Sequence, residues 1–170
     1  MKRAFVAVRA VVYASLFVSL WVWIAIRLRS LDPYLVLRLP SWVRPIGGVL
    51  ALCGLAIGVG CIYAFIAYGH GTPAPFDPPR EFVAVGPYRL VRNPMYVGGF
   101  VLILGAGLFV LSPAIVALAF VLLAVTHVMV VLVEEPDLQR RFGESYQRYR
   151  ASVRRWLPAP PRSTSGSALD

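Results

Sequence analysis

Apolar and polar positions fall into long blocks, not into an alternation. Phe5–Leu28 carries charge only at Arg9 and Arg27, Ile46–Tyr68 carries none, and Tyr96–Val133 runs 38 residues without Asp, Glu, Lys or Arg. A bilayer core about 30 Å thick takes about 20 helical residues, so blocks of this length predict membrane-crossing helices. Ser112-Pro113 interrupts the longest block near its middle, and proline has no amide with which to continue a helix. That block therefore reads as two spans joined by a tight turn. The expected spans are 5–28, 46–68, 96–111 and 113–133. The third, about 24 Å long at 1.5 Å per residue, is short, and its N-terminus should sit inside the leaflet. The fold class this pattern predicts is all-α, a four-helix transmembrane bundle.

The pattern between the blocks predicts the rest. Ser30–Pro45, with three prolines, reads as a short loop on the outer side. Gly69–Pro79 is too rich in proline for helix and predicts an ordered arm over the inner face, either a lid or a rigid strap. After Pro136, Leu138, Phe142, Tyr146, Tyr149, Val153 and Trp156 recur at helical spacing with arginines between them. An interfacial amphipathic helix over about 136–156 is expected, aromatic side down. Residues 1–157 then form one domain, and the Pro/Ser-rich tail 158–170 is expected to be disordered.

Composition fixes the solvent. With 58% hydrophobic residues and a mean hydropathy of +0.69, an ordinary soluble domain is excluded. Of the 17 basic residues, only Arg27, Arg29, Arg38 and Arg44 fall on the outer side of a four-span arrangement. The other 13 lie at the N-terminal end, in the 69–95 loop and in the tail. That asymmetry predicts a multi-pass protein with both termini cytoplasmic, in the cytoplasmic membrane of a bacterium. The net charge of +9 hugs the span ends, so membrane lipids, not nucleic acid, are the expected partner. The first span is too long for a signal peptide and lacks a small-residue cleavage site, so it reads as an uncleaved anchor. Cys53 and Cys61 sit about 12 Å apart along one helix, beyond disulfide reach, and no His/Cys cluster predicts a metal.

Gly54-x-x-x-Gly58 in the second span and Gly98, Gly99, Gly105 and Gly107 in the third predict close helix packing. Gly58-Val-Gly60 and Gly105-Ala-Gly107 neither follow a strand nor precede the acidic residue of a dinucleotide site. A soluble Rossmann-like enzyme is excluded.

One constellation carries chemistry. Gly86-Pro-Tyr-Arg-Leu-Val-Arg-Asn-Pro-Met-Tyr-Val-Gly98 precedes the last hairpin and Glu134-Glu135 follows it, so both reach the same membrane surface. Asn93 is expected to cap the third helix with Pro94 in its first turn, leaving amides and partial positive charge at its start. Tyr88 and Tyr96 flank that start, able to stack on a flat ring or donate a hydroxyl. Carboxylates at a span end are a site hypothesis by default, although Glu134 and Glu135 have a simpler role available as partners of Arg89 and Arg92. His127, seven residues before Glu134, reads as lying two turns deeper on the same face, a hydrogen-bonded interior histidine or an acceptor contact. Together these residues describe a cytosol-facing pocket for a zwitterion bearing an aromatic ring.

These residues resemble the isoprenylcysteine carboxyl methyltransferase-like integral membrane methyltransferases, relatives of the phospholipid methyltransferases. The resemblance rests on Gly86-Pro-Tyr88, Arg92-Asn-Pro-Met-Tyr-Val-Gly98, Glu134-Glu135 and Phe142-Gly-Glu-Ser-Tyr-Gln-Arg-Tyr149 in that order. It covers about half the chain, from Gly71 to Pro158. It implies S-adenosylmethionine bound at the cytoplasmic surface, with Phe82 and Val83 along the adenosine. Tyr88 and the Asn93-Pro94-Met95-Tyr96 turn would hold the nucleoside and methionine parts, and Glu134 the amino group.

Two positions depart from the family pattern. Asn93 stands where relatives carry His, and it cannot titrate near neutrality. Val130 stands where prenylcysteine enzymes carry the Arg that meets the substrate carboxylate, which argues against that substrate. The activity implied is methyl transfer to a membrane-partitioned small molecule or lipid-like acceptor, with no catalytic residue assigned. Phospholipid N-methylation, or a non-catalytic protein retaining the fold, are the alternatives.

Overall fold

The computed structural model describes residues 2–69 and 84–158, and all regular structure among them is helical. Helices α1 (Lys2–Arg29), α2 (Val43–Ala64), α3 (Pro94–Phe109), α4 (Pro113–Met129) and α5 (Glu135–Ser152) follow in chain order. A π turn, Phe65–Gly69, extends α2, and a second, Val130–Glu134, joins α4 to α5. A 3-10 turn, Gly86–Arg89, precedes α3. Three helical runs are long and apolar enough to cross a membrane, beginning with α1, α2 and α4. α3, at 16 residues, is the short fourth that the sequence anticipates. Their outward faces are apolar, with Leu52 69% and Leu132 68% exposed. Facing water, such surface would be an interaction or aggregation site; facing hydrocarbon it is the solvated side.

The tightest packing is between α2 and α3, which run antiparallel and meet through glycines. A Cβ on Gly54 would lie 2.6 Å from the Gly98 carbonyl oxygen, and one on Gly105 would lie 2.7 Å from that of Gly47. No side chain fits there, so the backbones touch. Dispersion and backbone contact replace the hydrophobic drive that lipid removes. The expected Gly54-x-x-x-Gly58 pair is half right: a Cβ on Gly58 would meet nothing within 4 Å, and the true partner of Gly54 along α2 is Gly47, one heptad back. Gly107 continues the contact onto α4 at Val116. α1 lies at the periphery, touching α4 and the turn after α2.

The α3–α4 hairpin closes as expected around Ser112-Pro113. Leu111 takes a left-handed conformation (φ 57°), and the Ser112 amide donates to the Gly107 carbonyl at 2.8 Å, satisfying carbonyls that a helix end leaves open. Ser112 then caps α4 by accepting from the Ile115 amide. Asp32, from the α1–α2 loop, adds a second cap: its Oδ1 accepts from Ser112 Oγ at 2.9 Å and from the Ala114 amide at 3.0 Å. A carboxylate at a helix start is favoured by the exposed amides and the dipole. It also ties the α1–α2 loop to the hairpin.

The break expected between the fourth span and the C-terminal helix is absent, because one helical run extends from Pro113 to Ser152. Pro136 has no amide to donate, and its ring crowds the carbonyl four residues earlier. The π turn widens the helix at that point, with the Glu135 amide reaching the Val130 carbonyl, and so absorbs the proline without ending the helix. The kink falls at Gly143 instead (φ 50°, ψ −123°), a conformation open to glycine alone at little cost. Helix ends at Ser152, not Trp156; Val153 is extended (φ −118°, ψ 129°) and the chain turns back.

Candidate functional site

Pro94 fixes where α3 begins, but Asn93 does not cap it: its side chain makes no capping hydrogen bond. Asn93 is occupied by the returning C-terminal segment. Its amide and its Nδ2 donate to the Arg155 carbonyl, at 3.3 and 3.4 Å, and the Arg92 amide donates to the Arg154 carbonyl at 2.8 Å. Residues 153–156 thus form a strap along the corner. The first turn of α3 thus receives no acceptor from the side chain of its own N-cap residue.

The acidic doublet splits into two roles, because consecutive helical side chains point about 100° apart. Glu134, half-buried, accepts from the hydroxyl of Tyr96. Glu135 is only 6% exposed and is clamped by two arginines. Arg92 Nη2 donates to it at 2.9 Å, while Arg155 donates Nε at 2.7 Å and Nη2 at 2.9 Å. Burial pushes the Glu135 carboxyl up, but the Arg155 hydrogen bonds and the charges of Arg92, Arg155 and Arg150 outweigh it and hold it below its ordinary value. Arg92 also donates to the Arg150 carbonyl, yet its Nε is buried with no partner.

Tyr88 is packed rather than presented. It is buried, stacks edge-on against Phe65 at 5.3 Å, and belongs to a cluster with Cys61 and Ala64 against which Met95 also packs. Its carbonyl accepts from Tyr149 Oη at 2.6 Å, tying α5 to the turn before α3. Burial, together with the neighbouring Cys61, raises the Tyr88 phenol well above its ordinary value, so it stays neutral. The open ring face expected of Tyr88 is therefore covered. Phe82, Val83 and the proline-rich arm beyond Gly69 lie outside the described residues.

His127 does not share a face with Glu134. The intervening π turn takes up one extra residue, which rotates everything after it by about 100°. His127 is exposed and accepts from Trp156 Nε1 at Nδ1, 3.1 Å away, with the rings 5.9 Å apart. So Tyr96, Glu134, Asn93 and Pro94 gather at one end of the bundle as the motif spacing requires. However, the cleft at this end, about 440 Å³, lies between the Gly86–Arg89 turn and α5. Of the residues assigned from the sequence, the described ones (Tyr88, Asn93, Pro94, Met95, Tyr96 and Glu134) do not line it. The residues that sequence reasoning missed are Arg155 and Trp156 on the strap, and Asp32 at the far end. No local signal marks the arginine 20 residues away that clamps Glu135. Among the described residues no group of three or more His, Cys, Asp or Glu is placed to hold a metal.

The fold and this junction define a class, that of helical membrane proteins in which a hairpin returns a carboxylate pair to the polar corner from which it left. Within it, the chain belongs to the phospholipid methyltransferase family, whose model matches residues 42–145. That stretch runs from the start of α2 into α5 and contains both halves of the site. The chain is 33% identical over 95 residues to phosphatidylethanolamine N-methyltransferase of Talaromyces marneffei, covering 54% of this chain and 10% of that one. Identity to the enzyme of that name from Aspergillus clavatus is 34% over 95 residues, with the same coverage. Identity to methanethiol S-methyltransferase of Crocosphaera subtropica is 29% over 104 residues, 59% of this chain and 36% of that one. The match thus spans about a tenth of the fungal enzymes and about a third of the Crocosphaera enzyme.

Proposed function

We propose that this protein is an S-adenosylmethionine-dependent methyltransferase acting on a membrane-partitioned small molecule or lipid-like acceptor. The observation that carries the reading is the Tyr96–Glu134 hydrogen bond, which joins the start of α3 to the end of the α4 span. The residues fit the methyl donor. Glu134 is a half-buried carboxylate, the kind of group that pairs with an ammonium. The uncapped first turn of α3 offers amides to a carboxylate, and the orphaned Nε of Arg92 is a further donor beside that turn.

S-adenosylmethionine supplies an activated sulfonium methyl, so the protein's task is alignment and exclusion of water. Tyr96 fixes the rotamer of Glu134, and the Arg92–Glu135–Arg155 clamp fixes the helix that presents it. The apolar walls of α3 and α4 exclude water from the acceptor's side. The fungal relatives are named for a phospholipid amine and the Crocosphaera enzyme for a thiol. Neither acceptor carries a carboxylate at its reacting end, in keeping with Val130 at the place where an arginine would meet one. The arginine-rich end then faces the cytoplasm, with α5 in the interface and S-adenosylmethionine entering from water while the acceptor enters from lipid.

Titration calorimetry of the detergent-solubilised protein should register binding of S-adenosylmethionine or its demethylated product. Glu134→Gln should weaken it about tenfold or more, the order of a charge-assisted pair lost. No binding by the intact chain would overturn the methyltransferase reading, and unchanged affinity in the variant would remove the role of Glu134. Radiolabelled methyl transfer into phosphatidylethanolamine or into an alkyl thiol then selects the acceptor.

A further inference from the structure

A ring pair stands where the strap meets α4, and the proposed reaction makes no use of it. Trp156 Nε1 donates to His127 Nδ1 at 3.1 Å, with the ring centroids 5.9 Å apart and the planes tilted by 36°. An indole nitrogen can only donate, so the bond requires a bare Nδ1, and the neutral His127 ring carries its proton on Nε2. The imidazolium has protons on both nitrogens. Two donors would then face each other across 3.1 Å, and the bond cannot survive. The contact exists in one charge state of His127 alone.

Trp156 ends the strap whose Arg154 and Arg155 carbonyls hold the Arg92 and Asn93 amides, and whose Arg155 side chain clamps Glu135. His127 is exposed on α4, and Trp156 lies two residues from the exposed Arg154. A charged arginine head stays in water and tryptophan favours the membrane interface, so the pair lies within reach of aqueous protons. α4 carries His127 as its titratable group and α3 carries Tyr96. Tyr96 bonds Glu134, and Glu135 is held between Arg92 and Arg155. Asp137 follows with Arg140 and Arg141 beside it. α1, packed on α4, carries Lys2, Arg3, Arg9 and Tyr13 in its first half and Arg27 and Arg29 at its far end. Of these residue types, histidine is the one whose charge ordinarily changes between about pH 5 and pH 8.

We propose that His127 and Trp156 form a pH-sensitive latch on the strap. The neutral imidazole holds Trp156 against α4, and protonation at Nδ1 breaks that hydrogen bond and releases the indole. The Arg92–Glu135–Arg155 clamp stays in place, so the strap loosens at its end without parting the helices. Once the latch is open, the cover over Asn93 rests on the bonds of residues 154 and 155 alone. The latch is independent of the methyl-transfer reading.

Trp156 is one of four tryptophans, so the test uses the full chain in detergent carrying Trp21→Phe/Trp23→Phe/Trp42→Phe. Acrylamide quenching of the remaining indole is recorded from pH 8 to pH 5. The ratio of open to closed latch should rise about fivefold or more on acidification, the order of one hydrogen bond lost. Adding His127→Asn, whose Oδ1 stands in for Nδ1 and accepts at every pH, should hold quenching at its pH 8 level throughout. Adding His127→Phe, which has no acceptor, should hold it at the open level at both ends of the range. Quenching that is flat in the parent chain, or that still rises with acid in His127→Asn, would overturn the latch. So would a fall in helix content by circular dichroism alongside the rise, because the indole would then be reporting unfolding of the bundle.

Discussion

At the scale of single residues, the doublet Glu134-Glu135 shows how little a side chain's identity says about its role. Both carboxylates were candidates for a partner, but only Glu134 faces the α3 start. Glu135 holds the α4–α5 junction through Arg92 and Arg155. Removing one member of such a buried pair leaves the others uncompensated, at about 3–5 kcal/mol. Glu135→Gln should accordingly lower the thermal unfolding midpoint sharply while leaving helix content by circular dichroism intact below it. The sign of the pH dependence follows from the lowered Glu135 value. Its stabilisation is fully present above the ordinary carboxyl value of 4.5 and fades as pH falls from there through the lowered value. Unfolding midpoints recorded between pH 7 and pH 3 should drop for the natural chain and drop less for Glu135→Gln. Asn93 was legible as a position of note but not in its function, because the strap that occupies it comes from 62 residues away.

Among the elements, the glycine contacts between α2 and α3 and the cap on α4 set the geometry that the site inherits. Gly54→Leu has no room against the backbone of α3 and should separate the two helices. Overpacking of this kind costs about 1–3 kcal/mol or more. Gly58→Leu, which meets only open space, should be nearly silent. Comparing the two midpoints checks the assignment. Asp32→Ala removes two acceptor contacts at the α4 start and should destabilise by about 1–2 kcal/mol, with no effect on ligand binding at the opposite end of the bundle. Helix existence and order were readable from apolar block length. The continuity through Pro136 was not, because a π turn has no sequence signal distinct from an ordinary apolar helix. That same turn moved His127 off the Glu134 face.

Across the whole molecule, the strap is the feature that closes the fold. Residues 153–156 bond to the corner before α3 through Arg154 and Arg155 carbonyls, to Glu135 through the Arg155 side chain, and to α4 through Trp156. Trp156→Ala should loosen the last of these and speed proteolysis after Ser152, with the transmembrane helices unaffected. The free energy involved is that of one hydrogen bond and one ring contact, about 1–2 kcal/mol.

What the sequence by itself determined was the solvent, the order of the apolar helices, and the end of the bundle at which the corner before α3 meets the Glu134-Glu135 pair. Each of these follows from local quantities: the length of an apolar run, the position of a proline, the alternation of inside and outside along a chain that must cross a bilayer. What only the tertiary structure decided was rotation and return. Which carboxylate faces Tyr96, which glycines touch, and which segment covers Asn93 depend on a widened turn and on a strap folding back from far along the chain. Angles about a helix axis and long-range contacts leave no trace in composition or spacing.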